Sequence, residues 1–204
     1  MKKLLLSIAA VAALAFTTQA QTEKGNTMLG GNLSFLSTKA NGAPKSDVSF
    51  SIVPSVGYFV SNNFAIGTGV GYTYDKVANT TVKNGSLTQA FEVAPFGRYY
   101  VALSDQFKFF GQVAVPMQFG NYKNIDVQGN TSDKLGTTTN IGVTVAPGFA
   151  FFPTKHIGIE FSVNGLEYQH AQTKVEATGA KASSNSFGLD ANTFAPKLGV
   201  MFHF

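Results

Sequence analysis

The sequence holds no cysteine and no tryptophan in 204 residues. Without cysteine there is no disulfide framework, no thiolate metal site and no lipoprotein attachment point. Charge is scarce as well: Asp, Glu, Lys and Arg make up 13% of the chain, with only three histidines. The basic residues never form a run, so the formal charge of +4 is not the footprint of a nucleic-acid-binding protein. After residue 20 no apolar stretch approaches the roughly 20 residues that a membrane-spanning helix needs.

The first apolar stretch reads as a secretory leader. Lys2 and Lys3 precede the apolar segment Leu4 to Phe16, and the small residues Thr18 and Ala20 stand before an expected cleavage at Gln21. Residues 1–20 are therefore expected to be a signal peptide, and residues 21–204 a single domain.

What the sequence does hold is 21 Gly, 19 Phe and 7 Tyr, a mixture that favours strands over helices. Alternation with a period of two runs through it. Near the end, Phe194, Pro196, Leu198, Val200, Phe202 and Phe204 share one face, while Lys197, Gly199, Met201 and His203 share the other. Seven more strands read the same way: Thr27 to Ser37, Val48 to Val60, Phe64 to Tyr74, Thr88 to Val101, Phe107 to Asn121, Asn140 to Phe152 and His156 to Tyr168. The last of these loses phase at Gly165, where a bulge or the strand end is expected. The connections alternate between short turns and polar loops around Asn41, Asn79, Asn130 and Ala180, the last being the longest.

A hairpin-length repeat recurs as Val-Pro-Ser-Val-Gly-Tyr-Phe (53–59), Ala-Pro-Phe-Gly-Arg-Tyr-Tyr (94–100), Ala-Pro-Gly-Phe-Ala-Phe-Phe (146–152) and Ala-Pro-Lys-Leu-Gly-Val-Met (195–201). Its prolines each remove a ladder donor, and bulges beside them are the expected remedy.

The fold these patterns give is all-β: a closed, antiparallel, up-and-down transmembrane barrel of about eight strands. The polar or small face carries Glu92, Arg98, Lys108, Gln112, Gln118, Glu160 and Lys197, and these are expected inside, as a structural salt-bridge network. Gly67, Gly69 and Gly71 are expected to make room there for Phe96, Arg98, Tyr100 and Phe110. The bulky face cannot fit in so narrow a lumen and is expected to meet lipid. Its aromatics fall in two girdles. Tyr58, Tyr99, Phe107, Phe151, Phe202 and Phe204 lie near the short turns, and Phe35, Phe50, Tyr72, Tyr74, Phe91, Phe119 and Phe194 near the long loops.

The leader, the stretch Ala-Pro-Phe-Gly-Arg-Tyr-Tyr at 94–100 and the ending Gly-Val-Met-Phe-His-Phe at 199–204 carry a family resemblance. The chain resembles the small outer-membrane β-barrel family typified by OmpX and the transmembrane domain of OmpA, in the style of Bacteroidota-type envelopes. That resemblance implies an address in the outer membrane, contact with its lipid and lipopolysaccharide, and insertion by the barrel-assembly machinery. Val200, Phe202 and Phe204 match the family's terminal assembly signal.

No catalytic residue, metal site or cofactor is expected. His156 and His203 fall at the short-turn rim and His170 at the start of the longest loop, none in an alternating stretch with Ser and acid partners. Asp126, Asp133, Glu167 and Glu176 lack calcium-ligand spacing. Three roles remain: a structural or adhesive surface protein that meets a surface ligand through its loops, a narrow channel or transport accessory, and more remotely a lipid-modifying enzyme.

Overall fold

A computed structural model describes residues 22–39, 45–78, 84–163, 165–190 and 197–204, and the side chains of all of these except Asp190 and Lys197. The expected signal peptide therefore lies outside the described residues, as do Phe194 and Pro196. Eleven strand segments follow in chain order: β1 (Thr27–Thr38), β2 (Asp47–Ser61), β3 (Phe64–Val77), β4 (Gly85–Ala102), β5 (Phe107–Ala114), β6 (Met117–Ile125), β7 (Gly136–Phe151), β8 (Ile157–Ser162), β9 (Gly165–Val175), β10 (Lys181–Asp190) and β11 (Lys197–His203). They make eight wall strands. β5 and β6 both pair with β4 on one side and β7 on the other. β8 and β9 both pair with β7, and β11 and β10 pair with β8 and β9 respectively. Every ladder is antiparallel, and the wall closes where β11 meets β1 at Met28↔His203 and Leu29↔Phe202. Thr27 and Phe204 exchange both backbone hydrogen bonds there, at 2.8 and 2.9 Å. The outcome is a closed, up-and-down, eight-stranded barrel.

The bulky face points outward. Val143 and Val145 are 43% and 40% exposed, while Gly142 and Gly148 on the other face are buried. Tyr58, Tyr99, Phe107 and Phe202 are exposed at one end of the wall, and Phe35, Tyr72, Phe91 and Phe119 at the other.

The prolines are handled in two ways. Around Pro54 and Pro95 the pairing continues in unchanged register, from Ile52↔Tyr72 to Ser55↔Gly69 and through Thr68↔Pro95, so no bulge forms. Pro116 only interrupts a wall strand, since Val113↔Val145 and Met117↔Ile141 share one register. Beside Pro147 the expected bulge does occur. Phe151↔Ile159 and Val145↔Leu166 differ by one residue in register, and the slip ends at Gly165. Gly165 has φ +71, and a Cβ there would run into the Val145 carbonyl oxygen, so only glycine fits.

One expectation fails. The long loop around Ala180 is instead a hairpin, β9 and β10 paired in unbroken register from Gly165↔Asp190 to Lys174↔Lys181. The turn between Val175 and Lys181 joins the two strands. Above Tyr168 and Phe187 the hairpin carries no apolar alternation, because both faces beyond the lipid band are wet, so the period-two signal vanishes while the strand persists.

Candidate functional site

The lumen is where the polar side chains converge, and its floor is built from consecutive aromatics. In Tyr58-Phe59, Tyr99-Tyr100, Phe109-Phe110 and Phe151-Phe152 the first residue faces outward and the second faces in. Phe59, Tyr100, Phe110 and Phe152 are at most 2% exposed and join Met28, Ala65, Ala150 and Met201 in one buried cluster. Their rings meet edge-on or tilted, Tyr100 to Phe110 at 5.6 Å and Phe152 to His203 at 5.2 Å between centroids. Three of the sequence repeats end on these doublets, so the repeat's structural consequence is a floor at the short-turn end.

The glycines that make room are not all those expected. Gly67 does lie against the Phe96 ring, but Gly69 and Gly71 face Val53, and Phe110 is accommodated by Gly148.

Arg98 sits directly above that floor, stacked on Phe110 with its guanidinium carbon 4.4 Å from the ring centroid. Its Nη1 donates to Glu160 Oε1 at 2.5 Å and to Tyr100 Oη at 2.9 Å, and Tyr100 Oη donates to the same carboxylate oxygen at 3.0 Å. Arg98 Nε and Nη2 both donate to Gln112 Oε1, at 2.9 and 2.7 Å. Arg98 and Glu160 are only 8% and 7% exposed, so each is the compensating charge the other needs.

The remaining described interior residues do not join this group: where a salt-bridge network was expected, one interior ion pair and two separate hydrogen-bonded sets are found among the described residues. Lys108 forms no ion pair among the described residues; its Nζ donates to Thr22 Oγ1 at 2.5 Å, and Thr22 Oγ1 donates to Asn63 Oδ1 at 2.6 Å. The segment Thr22–Asn26 thereby folds under the barrel mouth, tied by Gly25 N–H to Phe59 O and Asn63 N–H to Thr22 O. Higher in the lumen, Gln118 Nε2 donates to Glu92 Oε2 at 2.9 Å and Asn140 Nδ2 donates to Gln118 Oε1 at 3.2 Å. The Lys197 side chain lies outside the described residues. Thr22, Asn63 and Asn140 complete these sets without having been singled out from the sequence, whereas Tyr100 was expected inside but not as a polar partner. The one available signal was that Tyr100 shares a face with Arg98, two residues away.

Above the Arg98–Glu160 pair the lumen widens into a cavity of about 340 Å³, with Glu92, Gln118, Asn140, Thr144, Glu167 and Gln169 on its walls. Among the described residues no group of three or more His, Asp or Glu side chains converges as a metal site. His203 packs against Phe59 and Phe152 in the floor, with its carbonyl oxygen 2.9 Å from His156 Nδ1, while His170 Nδ1 lies 2.8 Å from Asn185 Oδ1 on the outer wall.

Val200 and Phe202 project outward, 48% and 44% exposed, and Phe204 ends the closing ladder on Thr27.

No curated protein sequence is significantly similar to the chain. Solved structures with a similar fold include OprG of Pseudomonas aeruginosa, 12% identical over 91% of this chain and 99% of that one, with a TM-score of 0.50. Ail, the attachment invasion locus protein of Yersinia pestis, is 14% identical over 89% and 99% of the two chains, with a TM-score of 0.46. The Neisserial surface protein A is 16% identical over 88% and 94%, with a TM-score of 0.44. Residues 6–204 match the outer membrane protein beta-barrel domain, and the chain belongs to that family of outer-membrane barrels.

Proposed function

We propose that this is a non-conducting surface protein of the outer membrane, in which the barrel is a mount and the outer hairpins do the work, in an adhesive or envelope role. The observation that carries the reading is the closed floor. A water path entering from the long-loop end meets the Arg98 guanidinium on Phe110, with Tyr100, Phe59 and Phe152 behind it and Thr22 and Lys108 below. An ion would have to displace a paired guanidinium and then cross a dry aromatic layer, each a large desolvation cost. At the opposite end the wall continues past the lipid band. β9 runs six residues beyond the outward-facing Tyr168 to Lys174, roughly 20 Å along the strand. The purified protein in a planar bilayer should give no unitary current steps. Reproducible steps would favour the narrow-channel reading and overturn this one. Cells displaying the barrel with residues 176–180 and 126–135 replaced by short Gly-Ser turns should adhere to surfaces less than cells with the native protein, and equal adherence would count against a role for the outer hairpins.

A further inference from the structure

The closed floor leaves above it a polar cavity whose charges are not balanced. Arg98 is fully committed at the base: its Nε, Nη1 and Nη2 are all engaged, on Gln112, Glu160 and Tyr100. It neutralises Glu160 and cannot turn to another carboxylate without giving up these bonds. Two more carboxylates line the same cavity, Glu92 on β4 and Glu167 on β9. Neither forms an ion pair among the described residues, and the Glu167 carboxylate accepts no hydrogen bond there either. Lys108 does not serve them, because it lies beneath the floor on Thr22 with the Phe152 ring beside it. Lys197 is expected inside from its alternation. Even with it, Glu92, Glu160 and Glu167 stand against only Arg98 and Lys197, three carboxylates to two cations.

Glu160 adds an independent sign of a ligand. It is only 7% exposed, yet both hydrogen bonds that its side chain accepts fall on Oε1. Oε2 accepts none among the described residues, and the residue lines the cavity. A carboxylate so deeply buried ordinarily has partners on both oxygens. The three carboxylates are spread, not convergent. β4 and β9 stand three places apart in the eight-strand wall, with β6 and β7 between them, so Glu92 and Glu167 lie on nearly opposite walls and Glu160 at the base. That spread does not suit a metal ion, and no three acidic or imidazole groups converge among the described residues. It suits a flexible chain whose cationic centres are separated by methylenes. Gln118, Asn140 and Gln169 offer amide oxygens to further N–H groups, and Ala94, Ala114 and Ala146 offer low apolar patches to the methylenes. The volume of about 340 Å³ falls within the roughly 300–1,000 Å³ of small-molecule sites.

We propose that the lumen is a binding site for small linear polyamines, entered from the long-loop end. One ammonium group donates to Glu160 Oε2 at the base, and the others meet Glu92 and Glu167 on the walls. Because the floor is closed, the cavity is a dead end, and the ligand leaves the way it came. A hydrogen bond between charged groups shielded from bulk water is worth about tenfold or more in affinity. The inference rests on the lumen alone and stands apart from the adhesive role of the outer hairpins.

The test titrates spermidine into the protein by calorimetry, with the barrel folded into nanodiscs of zwitterionic phospholipid so that no anionic headgroup competes for the probe. The native protein should bind spermidine at a single site, more weakly as salt rises. A Glu92→Gln, Glu167→Gln variant keeps side-chain size and hydrogen-bonding capacity, and it should bind about tenfold more weakly or worse. Each single variant should lose affinity several-fold, which keeps the test decisive if the double variant does not fold. Fully acetylated spermidine, which is uncharged, should not bind. Asp133→Asn, on an outer loop, should bind as the native protein does. No binding at millimolar spermidine, or equal affinity in the native protein and the lumen variants, would overturn the proposal. An equal loss in Asp133→Asn would place the site on the outer surface and overturn it, as would binding of the acetylated compound as tight as that of spermidine.

Discussion

Arg98 and Glu160 come from β4 and β8, wall strands that share no ladder, and they meet because the barrel is narrow enough for opposite walls to touch. Deleting one partner leaves the other charged and largely buried without its compensating charge. Glu160→Ala should therefore lower the unfolding free energy by about 3–5 kcal/mol, read by urea unfolding in lipid vesicles. Replacing Arg98 and Glu160 together by Met and Leu should cost far less, since the desolvation penalty leaves with the charges. The interior placement of both residues was legible in their alternation, but their partnership was not. Which inward residues touch depends on barrel radius and strand stagger, and neither is written in a local pattern. Lys108 shows the same limit, because its hydroxyl partner Thr22 is 86 residues away and lies outside any alternating stretch.

Among the elements, β7 offers the cleanest test of which face is which. Val143 is outward and 43% exposed, whereas Thr144 beside it lines the lumen cavity. Val143→Lys should destabilise the folded barrel by about 2–4 kcal/mol, because hydrocarbon cannot solvate an ammonium group. Thr144→Lys should cost clearly less, having Glu167 directly opposite on β9 and water above. An environment-sensitive dye on a cysteine at 143 should be quenched by lipid-borne quenchers, and one at 144 should not. The 126–135 loop provides a pH test. The Asn130 backbone N–H at 2.8 Å and its side-chain amide at 3.0 Å donate to the Asp126 carboxylate and hold it below the usual carboxylate range. Its depressed value means the turn is supported at pH above the ordinary carboxylate value of about 3.9 and loses that support as pH falls through the lowered one. The Asn130 amide should stay protected from exchange between neutral pH and about pH 5 and lose protection in stronger acid. Asp126→Asn should remove that dependence.

Taken as a whole, the barrel closes where β1 meets β11, at Met28↔His203 and Leu29↔Phe202, while above that seam β10 pairs with β9 alone among the described residues. Detergent alone should not open it, so the protein should migrate differently on gels before and after boiling and should fractionate with outer membranes. A heat-independent mobility would count against the closed barrel. The closing ladder also gives the chain end a role. Deleting Phe204 removes its backbone exchange with Thr27 as well as the aromatic that ends the terminal alternation. We expect the yield of folded barrel in cells to fall well below that of a protein lacking Asn130, and equal yields would argue against a terminal assembly signal.

The sequence by itself determined the strand-built wall, the separation of its faces and the lipid-facing side. Each follows from a rule that acts between neighbours two residues apart: a side chain that meets hydrocarbon must be apolar, and the next one, which meets the lumen, must be small or polar. Tertiary structure alone decided the rest. It turned the second aromatic of each doublet into a floor, sorted the described interior charges into one ion pair with separate polar sets, and extended β9 and β10 into a hairpin where the loop was expected. The floor and the pairings depend on which walls come within reach once the cylinder closes. The hairpin depends on backbone hydrogen bonds, which need no apolar pattern where both faces are wet, so nothing in its Ser, Asn and Lys residues announced a strand.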